Sequence, residues 1–421
     1  MVFHRVPSDT PSTPSSLRRT FLASASTVGI GALAGCSTVD TLLGDGVEPP
    51  ERQVPANWTP NPDDWPTEQY GFARTGHNPF ASPPREEPSA VWTEDVSTLG
   101  GNFDNLIVAG GWVLADLSGT VVALDPETGE QGWRWSTRGN GGNLEYVMGR
   151  VYAGNGDGIV ALDSFDGELV WSTRLGNFDV WDYDLVEREG WVFLFGPDEV
   201  RCLHADTGEV VDRLEREGLH RVATDGSVLY GGDRVFSALA VDDRRLERRW
   251  ENDYLGYETT DSPVVDDGLV YRGEYRVFED DDLPQSRLTV YDTNPEHGVQ
   301  TVTVPFDQGL RTPAVADGTA YVATADVRTG TLRQDGVVAA VTHDGEVQWR
   351  FQPDADPRSP VVADGTVYTG PYRNLANSLV ALDAETGEEL WRRPVNERPE
   401  LAVAGETLYV ATDGEVRALR A

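Results

Sequence analysis

Short runs in which apolar and polar residues alternate dominate this chain, and a Gly-containing turn bounds each of them. Val151-Tyr152, Val270-Tyr271, Ala320-Tyr321 and Val367-Tyr368 each follow closely on an Xaa-Gly pair. Aromatic and β-branched residues at alternate positions suit half-buried strands, and the preceding Asp-Gly supplies the positive φ of a hairpin turn. A second apolar run follows at Ala123-Leu124-Asp125, Ala161-Leu162-Asp163 and Ala381-Leu382-Asp383. A Thr-Gly or Asp-Gly turn comes next, then a Trp nine residues after the Leu: Trp133, Trp171 and Trp391. Together with the apolar run ahead of each hairpin (SPVVADG, TPAVADG), every unit yields four short antiparallel strands. No segment carries the long 3.6-residue period of an amphipathic helix, so the expected class is all-β.

The pattern repeats about every 40 residues, as in a solenoid, propeller or array. Hairpin positions at Gly111, Gly149, Gly190, Gly226, Gly268, Gly318, Gly365 and Glu406 mark eight units. Weaker copies place Asp212 where the Trp belongs, shorten the spacing between Val341 and Trp349, and degenerate at Tyr291-Asp292. The eighth unit stops at Ala421 without its Trp strand, whereas SAVWTEDV around Trp92 is such a strand without a unit. The expectation is an eight-bladed β-propeller of four-stranded antiparallel blades, its last blade closed by an N-terminal strand, which removes exposed sheet edges. Trp92, Trp133, Trp171, Trp250, Trp349 and Trp391 read as blade-docking residues, because residues that define every blade are structural.

Charge changes the picture next. The chain has 70 acidic residues against 34 basic ones, a net −36, and every basic residue is Arg. Acidity without Lys suits near-saturated salt, where self-repulsion is screened within about 3 Å at 1 M, and points to a source of haloarchaeal type. This balance argues against nucleic acid as a partner. A phosphate-binding loop of the G-x-x-x-x-G-K type is impossible without Lys.

Residues 1–35 read as an export signal outside the fold. Arg18-Arg19 opens a twin-arginine pattern, the apolar run from Val28 to Ala34 is too short to span a membrane, and Leu33-Ala34-Gly35-Cys36 has lipobox form. Cys36 is therefore the expected lipidation site, anchoring the chain to the outer face of the cytoplasmic membrane. Residues 36–64, rich in Pro, Asp and Thr, are expected to be a disordered tether, with Asn57-Trp58-Thr59 as a possible glycosylation site. Residues 65–421 are the propeller.

The ALD-x-x-TGE-x-x-W units, the DG-x-VY turns and the lead-in QYGFARTGHNP together resemble the pyrroloquinoline-quinone (PQQ)-like repeat propellers. That family includes quinoprotein alcohol dehydrogenases and a bacterial outer-membrane assembly lipoprotein. The resemblance implies the fold, and leaves open an enzyme or a binding protein. The dehydrogenases carry a vicinal Cys pair beneath the cofactor, and this chain has two cysteines in all, Cys36 and Cys202. Cys202 reads as core packing. His4, His77, His204, His220, His297 and His343 show no metal-ligand spacing, and Glu279–Asp282 lacks the Gly and alternation of a Ca²⁺ loop. No catalytic, cofactor or metal residue is assigned. Long fifth and sixth units (EYRVFEDDDLPQS, ADVRTGTLRQDG) should project as loops, and Phe178, Trp181 and Tyr183 read as inner-strand core. The expected function is a membrane-tethered, monomeric, non-enzymatic scaffold that binds protein partners. The alternative is a PQQ- or Ca²⁺-dependent dehydrogenase.

Overall fold

A computed structural model describes residues 47–421 apart from 98–102, 137–142, 157, 177–182, 216–218, 220, 233–234, 243, 254–256, 260, 277–285, 294–299, 326–335, 373–376 and 396. Among the described residues are 34 strands, β1–β34 in chain order, and no α-helix. They form eight antiparallel sheets, the blades of one ring. Blade 1 shows the plan: β2 (Phe103–Ala109), β3 (Trp112–Leu117), β4 (Thr120–Leu124) and β5 (Gln131–Ser136) pair in chain order from the channel outward. Blades 5 and 6 split the innermost strand in two, as with β18 (Tyr257–Glu258) and β19 (Val264–Asp266), which both pair β20 (Leu269–Arg276). The ring closes as the sequence predicts. β1 (Ser89–Asp95) pairs β34 (Glu415–Arg420), placing Trp92 opposite Ala418.

The repeat has a steric explanation. In five blades a Tyr, an Ala and a Trp lie in one row across the second, third and fourth strands, as in Tyr368–Ala381–Trp391. A bulge between Ala381 and Leu382 sets that register, and equivalent bulges recur at Ala123/Leu124 and Ala161/Leu162. The small Ala between two large rings lets them approach: centroids are 5.8 Å apart for Tyr152–Trp171 and 5.9 Å for Tyr368–Trp391. The Asp of each Ala-Leu-Asp run shapes the next turn. Asp125 accepts from the Thr128 amide at 2.8 Å and the Glu127 amide at 2.9 Å, and the Thr128 bond in particular holds its carboxyl below the usual range.

Each Trp docks on the following blade. Trp133 Nε1 donates to Ser164 O at 3.2 Å, Trp171 to Ala205 O at 2.9 Å, Trp349 to Ala384 O at 2.9 Å, and Trp92 to Pro126 O at 3.0 Å. The ring lies flat on the turn glycine: a Cβ at Gly387 would sit 2.5 Å from Trp349. Blade 8 has no such turn, and Pro84 O of the N-terminal segment accepts from Trp391 instead, at 3.0 Å. The degenerate copies are filled otherwise. Arg244 lies 5.2 Å from the Trp191 ring at the junction of blades 3 and 4, where Asp212 is exposed, and Val302 faces Gly345 between blades 5 and 6. Trp250 stays buried without an acceptor for its N–H among the described residues.

The two faces of the ring differ. Turns joining the first and second strands, and the third and fourth, lie on one side, here the turn face. Links between blades leave from the other, the link face. The stretch expected as a tether through Asp64 is described from Val47, and from Glu48 it belongs to the compact propeller unit. Val54 is buried, Glu189 N donates to Val54 O at 2.7 Å, and the Arg52 Nη2 bonds Val147 O at 2.6 Å. Asp, Thr and Pro made this stretch look unstructured. Its anchorage comes from contacts with turns far along the chain, which local composition does not report.

Candidate functional site

The N-terminal segment crosses the turn face and enters the central channel. Trp65 exchanges backbone hydrogen bonds with Val108 of blade 1, and Tyr146 N of blade 2 donates to Pro66 O at 2.9 Å. Thr224, Val265, Val315 and Val362 of blades 4 to 7 donate in turn to Phe72, Ala73, Thr75 and Gly76, at 2.7–2.9 Å. Asn78 Nδ2 reaches Val403 O of blade 8 at 3.0 Å. The one blade missing from that series, blade 3, is met by Arg74, whose guanidinium pairs with Asp184. This strap, Trp65–Asn78, thus satisfies a backbone or side-chain group of every innermost strand. Sharp reversals within it need left-handed backbone at Tyr70, Arg74 and Gly76. At Gly76 a Cβ would also meet Ala314 Cβ at 2.9 Å, which explains the glycine.

Beyond the strap, toward the link face, remains a polar cavity of about 200 Å³ lined by Glu68, Gln69, Arg74, Tyr183, Asp184 and Asp261 among others. Arg74 also donates through Nε to Val222 O at 2.9 Å and lies 3.4 Å from Glu145. Asp184 accepts the Val222 amide at 2.6 Å. One cation therefore faces two carboxylates and sits nearer to Asp184. Burial pushes Glu145 up to about 8, and its Oε2 lacks a hydrogen-bond partner. Glu68 opens onto the cavity yet is enclosed by the ring, so desolvation raises its pKa as well.

The residues singled out from sequence fall as follows. Trp92, Trp133, Trp171, Trp250, Trp349 and Trp391 are all buried at blade junctions. Cys202 is buried in β12 (Glu199–His204), opposite Phe193, where six other blades have Ala and blade 5 has Val290. Tyr183 is buried and lines the channel cavity, so it is both core and channel wall. His77 bridges to Val362 within the strap, and His204 contacts Glu48 O and Asp206 N. Asn57 is exposed. Arg18, Arg19, Cys36, His4, Phe178, Trp181, His220, Glu279–Asp282 and His297 lie outside the described residues. Among the described residues no three His, Cys, Asp or Glu side chains gather in a metal-binding group. The site the sequence did not reveal is the strap with Arg74. Its one signal was the lead-in QYGFARTGHNP.

A family model described as outer membrane protein assembly factor BamB matches residues 85–182, 117–236 and 334–421. BamB of Burkholderia pseudomallei is 27% identical over 196 residues, 42% of this chain and 51% of that protein. BamB of Yersinia pestis is 27% identical over 286 residues, 60% of this chain and 67% of that protein. The alignments thus span about half to two thirds of these relatives' own length. Among solved structures, BamB from Moraxella catarrhalis superposes with a TM-score of 0.60 at 18% identity, covering 80% of this chain and 98% of that one. Apo AztD from Citrobacter koseri gives 0.52 at 13%, covering 73% and 90%. These superpositions show the shared fold. With more than half of its length matched by the repeat model, the chain belongs to the PQQ-like repeat propeller family described as outer membrane protein assembly factor BamB.

Proposed function

We propose that this propeller is a non-enzymatic scaffold, held on the outer face of the cytoplasmic membrane by a lipid on Cys36, that binds or organises protein partners. The observation that carries the reading is the filled channel. The space at the ring's centre is occupied by the chain's own strap, and the remaining 200 Å³ is polar. Small-molecule sites usually offer about 300–1,000 Å³ of mostly apolar wall. A quinone placed there would have to displace a segment hydrogen-bonded to the inner strands. The residues do not fit such a cofactor in another respect: the vicinal Cys pair of the quinoprotein dehydrogenases has no counterpart, and Cys202 is buried in a strand. The relatives are named for assembly at an outer membrane, a role that needs partners rather than a reaction centre. Export through Arg18-Arg19 and glycosylation of the exposed Asn57 belong to the same reading.

Titrating PQQ into the full chain in molar salt, with and without Ca²⁺, should give no saturable change in absorbance or melting temperature. Tight one-to-one binding would overturn the scaffold in favour of the dehydrogenase. For the anchor, Cys36→Ser should release the protein from membranes into the medium.

A further inference from the structure

We propose that the turn face of blade 2 is a lipid-contacting surface that dips into the interface of the bilayer to which the chain is tethered. The other repeats serve as an internal reference. At the first turn position after the innermost strand the chain has Glu189, Asp225, Asp267, Asp317 and Asp364, and blade 2 has Met148. At the second position after the Asp or His that opens the outer turn, other blades have Glu127, Asp206 and Glu385, whereas blade 2 has Phe165. Where blades 1 and 7 have Gln131 and Glu389, it has Leu169, as blades 3 and 6 have Val210 and Val347. In a chain this acidic, blade 2 places Met148 and Phe165 where most other repeats have an acid, and only there does Leu169 lie beside them.

These side chains are on the surface. Phe165 is 79% exposed, Leu169 51% and Met148 46%. They belong to one patch, because Ser164 N donates to Gly149 O at 3.0 Å and so joins the two turns that carry them. Val170 adds to it at the start of β9 (Leu169–Arg174). Of the eight large apolar side chains exposed among the described residues, Phe80, Val91, Met148, Phe165, Leu169 and Val170 are on the turn face. Apolar groups on protruding turn tips suit insertion among headgroups, where about 5–10 Å of depth is enough to bury them.

The occupant follows from where the tether arrives. Arg52 bonds Met148 O at 3.1 Å, and Glu51 N donates to Asp206 of blade 3 at 2.6 Å. Glu48, the first residue of the propeller unit, therefore lies beside this patch, its carbonyl 3.1 Å from His204 of blade 3. From Cys36 to Glu48 is twelve residues, a reach of at most about 40 Å fully extended. A lipid at Cys36 would keep this patch, more than any on the link face, close to the bilayer. Asp163, Asp166 and Glu168 rim the patch, so it favours zwitterionic over anionic lipid. The inference rests on the tether reading above.

The test uses the full, lipid-bearing chain on phosphatidylcholine vesicles in molar salt, with an environment-sensitive dye on Glu168→Cys and, as reference, on Glu130→Cys in the corresponding turn of blade 1. Vesicles should blue-shift the dye at 168 and leave that at 130 as in water. Adding Phe165→Glu and Leu169→Glu should abolish the shift, and should lower vesicle co-sedimentation of an unlipidated Cys36→Ser chain about tenfold. Equal dye spectra at the two positions would overturn the proposal. So would a shift at 168 before vesicles are added, which would mean that Leu42-Leu43, a second copy or a protein covers the patch. If Cys36→Ser stays on cell membranes, the anchor reading fails, and the dye at saturating vesicle concentration still decides the patch.

Discussion

The residue that governs blade-to-blade docking is the glycine beneath each Trp rather than the Trp alone. Gly387 has φ +72° and lies flat under Trp349, so Gly387→Ala combines backbone strain with a clash against an indole that has no room to retreat. A loss of about 2 kcal/mol or more is expected in denaturant unfolding, larger than for Gly414→Ala, which would meet nothing within 4 Å. Glu145 gives a second residue-scale outcome. Its pKa in the fold, about 8, lies above its ordinary 4.5, so the folded state binds the extra proton. Stability contributed by that proton is full below pH 4.5 and is lost as pH rises toward 8. Glu145→Gln keeps an acceptor for Arg74 and removes the titration. Its melting temperature should exceed the parent's by ~2 °C or more at pH 9, with the gap closing toward pH 5. Parallel melting curves across that range would assign the proton to another group.

At the scale of elements, the N-terminal segment does two separable jobs. β1 completes blade 8, and the strap upstream of it pins the inner strands. A chain beginning at Ser89 should retain the closed ring, yet lose the Pro84 carbonyl under Trp391 and Tyr368 and every strap bond. It should melt well below the parent while eluting as a monomer. A chain beginning at Val96 also leaves β34 as an open edge and should self-associate on size exclusion. Monomeric behaviour of the second chain would remove β1 from ring closure. Blade count, closure by Trp92 and the docking Trp residues were legible in the sequence, because each depends on a spacing repeated along the chain. The strap was not, since its partners are scattered from Val108 to Val403 and its own residues repeat nothing. The Tyr–Ala–Trp row was visible as conserved spacing between units, but the reason for its Ala, room between two rings, needed the register. Arg74 was marked only as one residue of the lead-in QYGFARTGHNP, and Glu145 had no local mark. Their meeting is a product of ring geometry that brings blades 2, 3 and 4 around one segment.

The whole molecule is held by short-range packing and opposed by its own charge. The net −36 lies mostly on exposed carboxylates, while Arg residues are spent on specific pairs such as Arg248–Glu251 and Arg420–Glu127. Exposed pairs of this kind contribute about 0–1 kcal/mol each and weaken in salt. Repulsion among the uncompensated carboxylates acts over a Debye length of roughly 10 Å at 0.1 M and about 3 Å at 1 M. Salt therefore removes more repulsion than attraction, and strengthens apolar burial between blades when the anion is excluded from the surface. The melting temperature should rise steadily with KCl from about 0.1 M into the molar range, by several degrees or more, and more steeply with sulfate than with chloride at equal ionic strength. Lowering the pH toward 4 in dilute salt should recover part of the same gain by neutralising carboxylates, whereas in molar salt that pH change should do little. A melting temperature indifferent to salt would mean that the carboxylates are already compensated in the fold, and would detach the acidity of this chain from its stability.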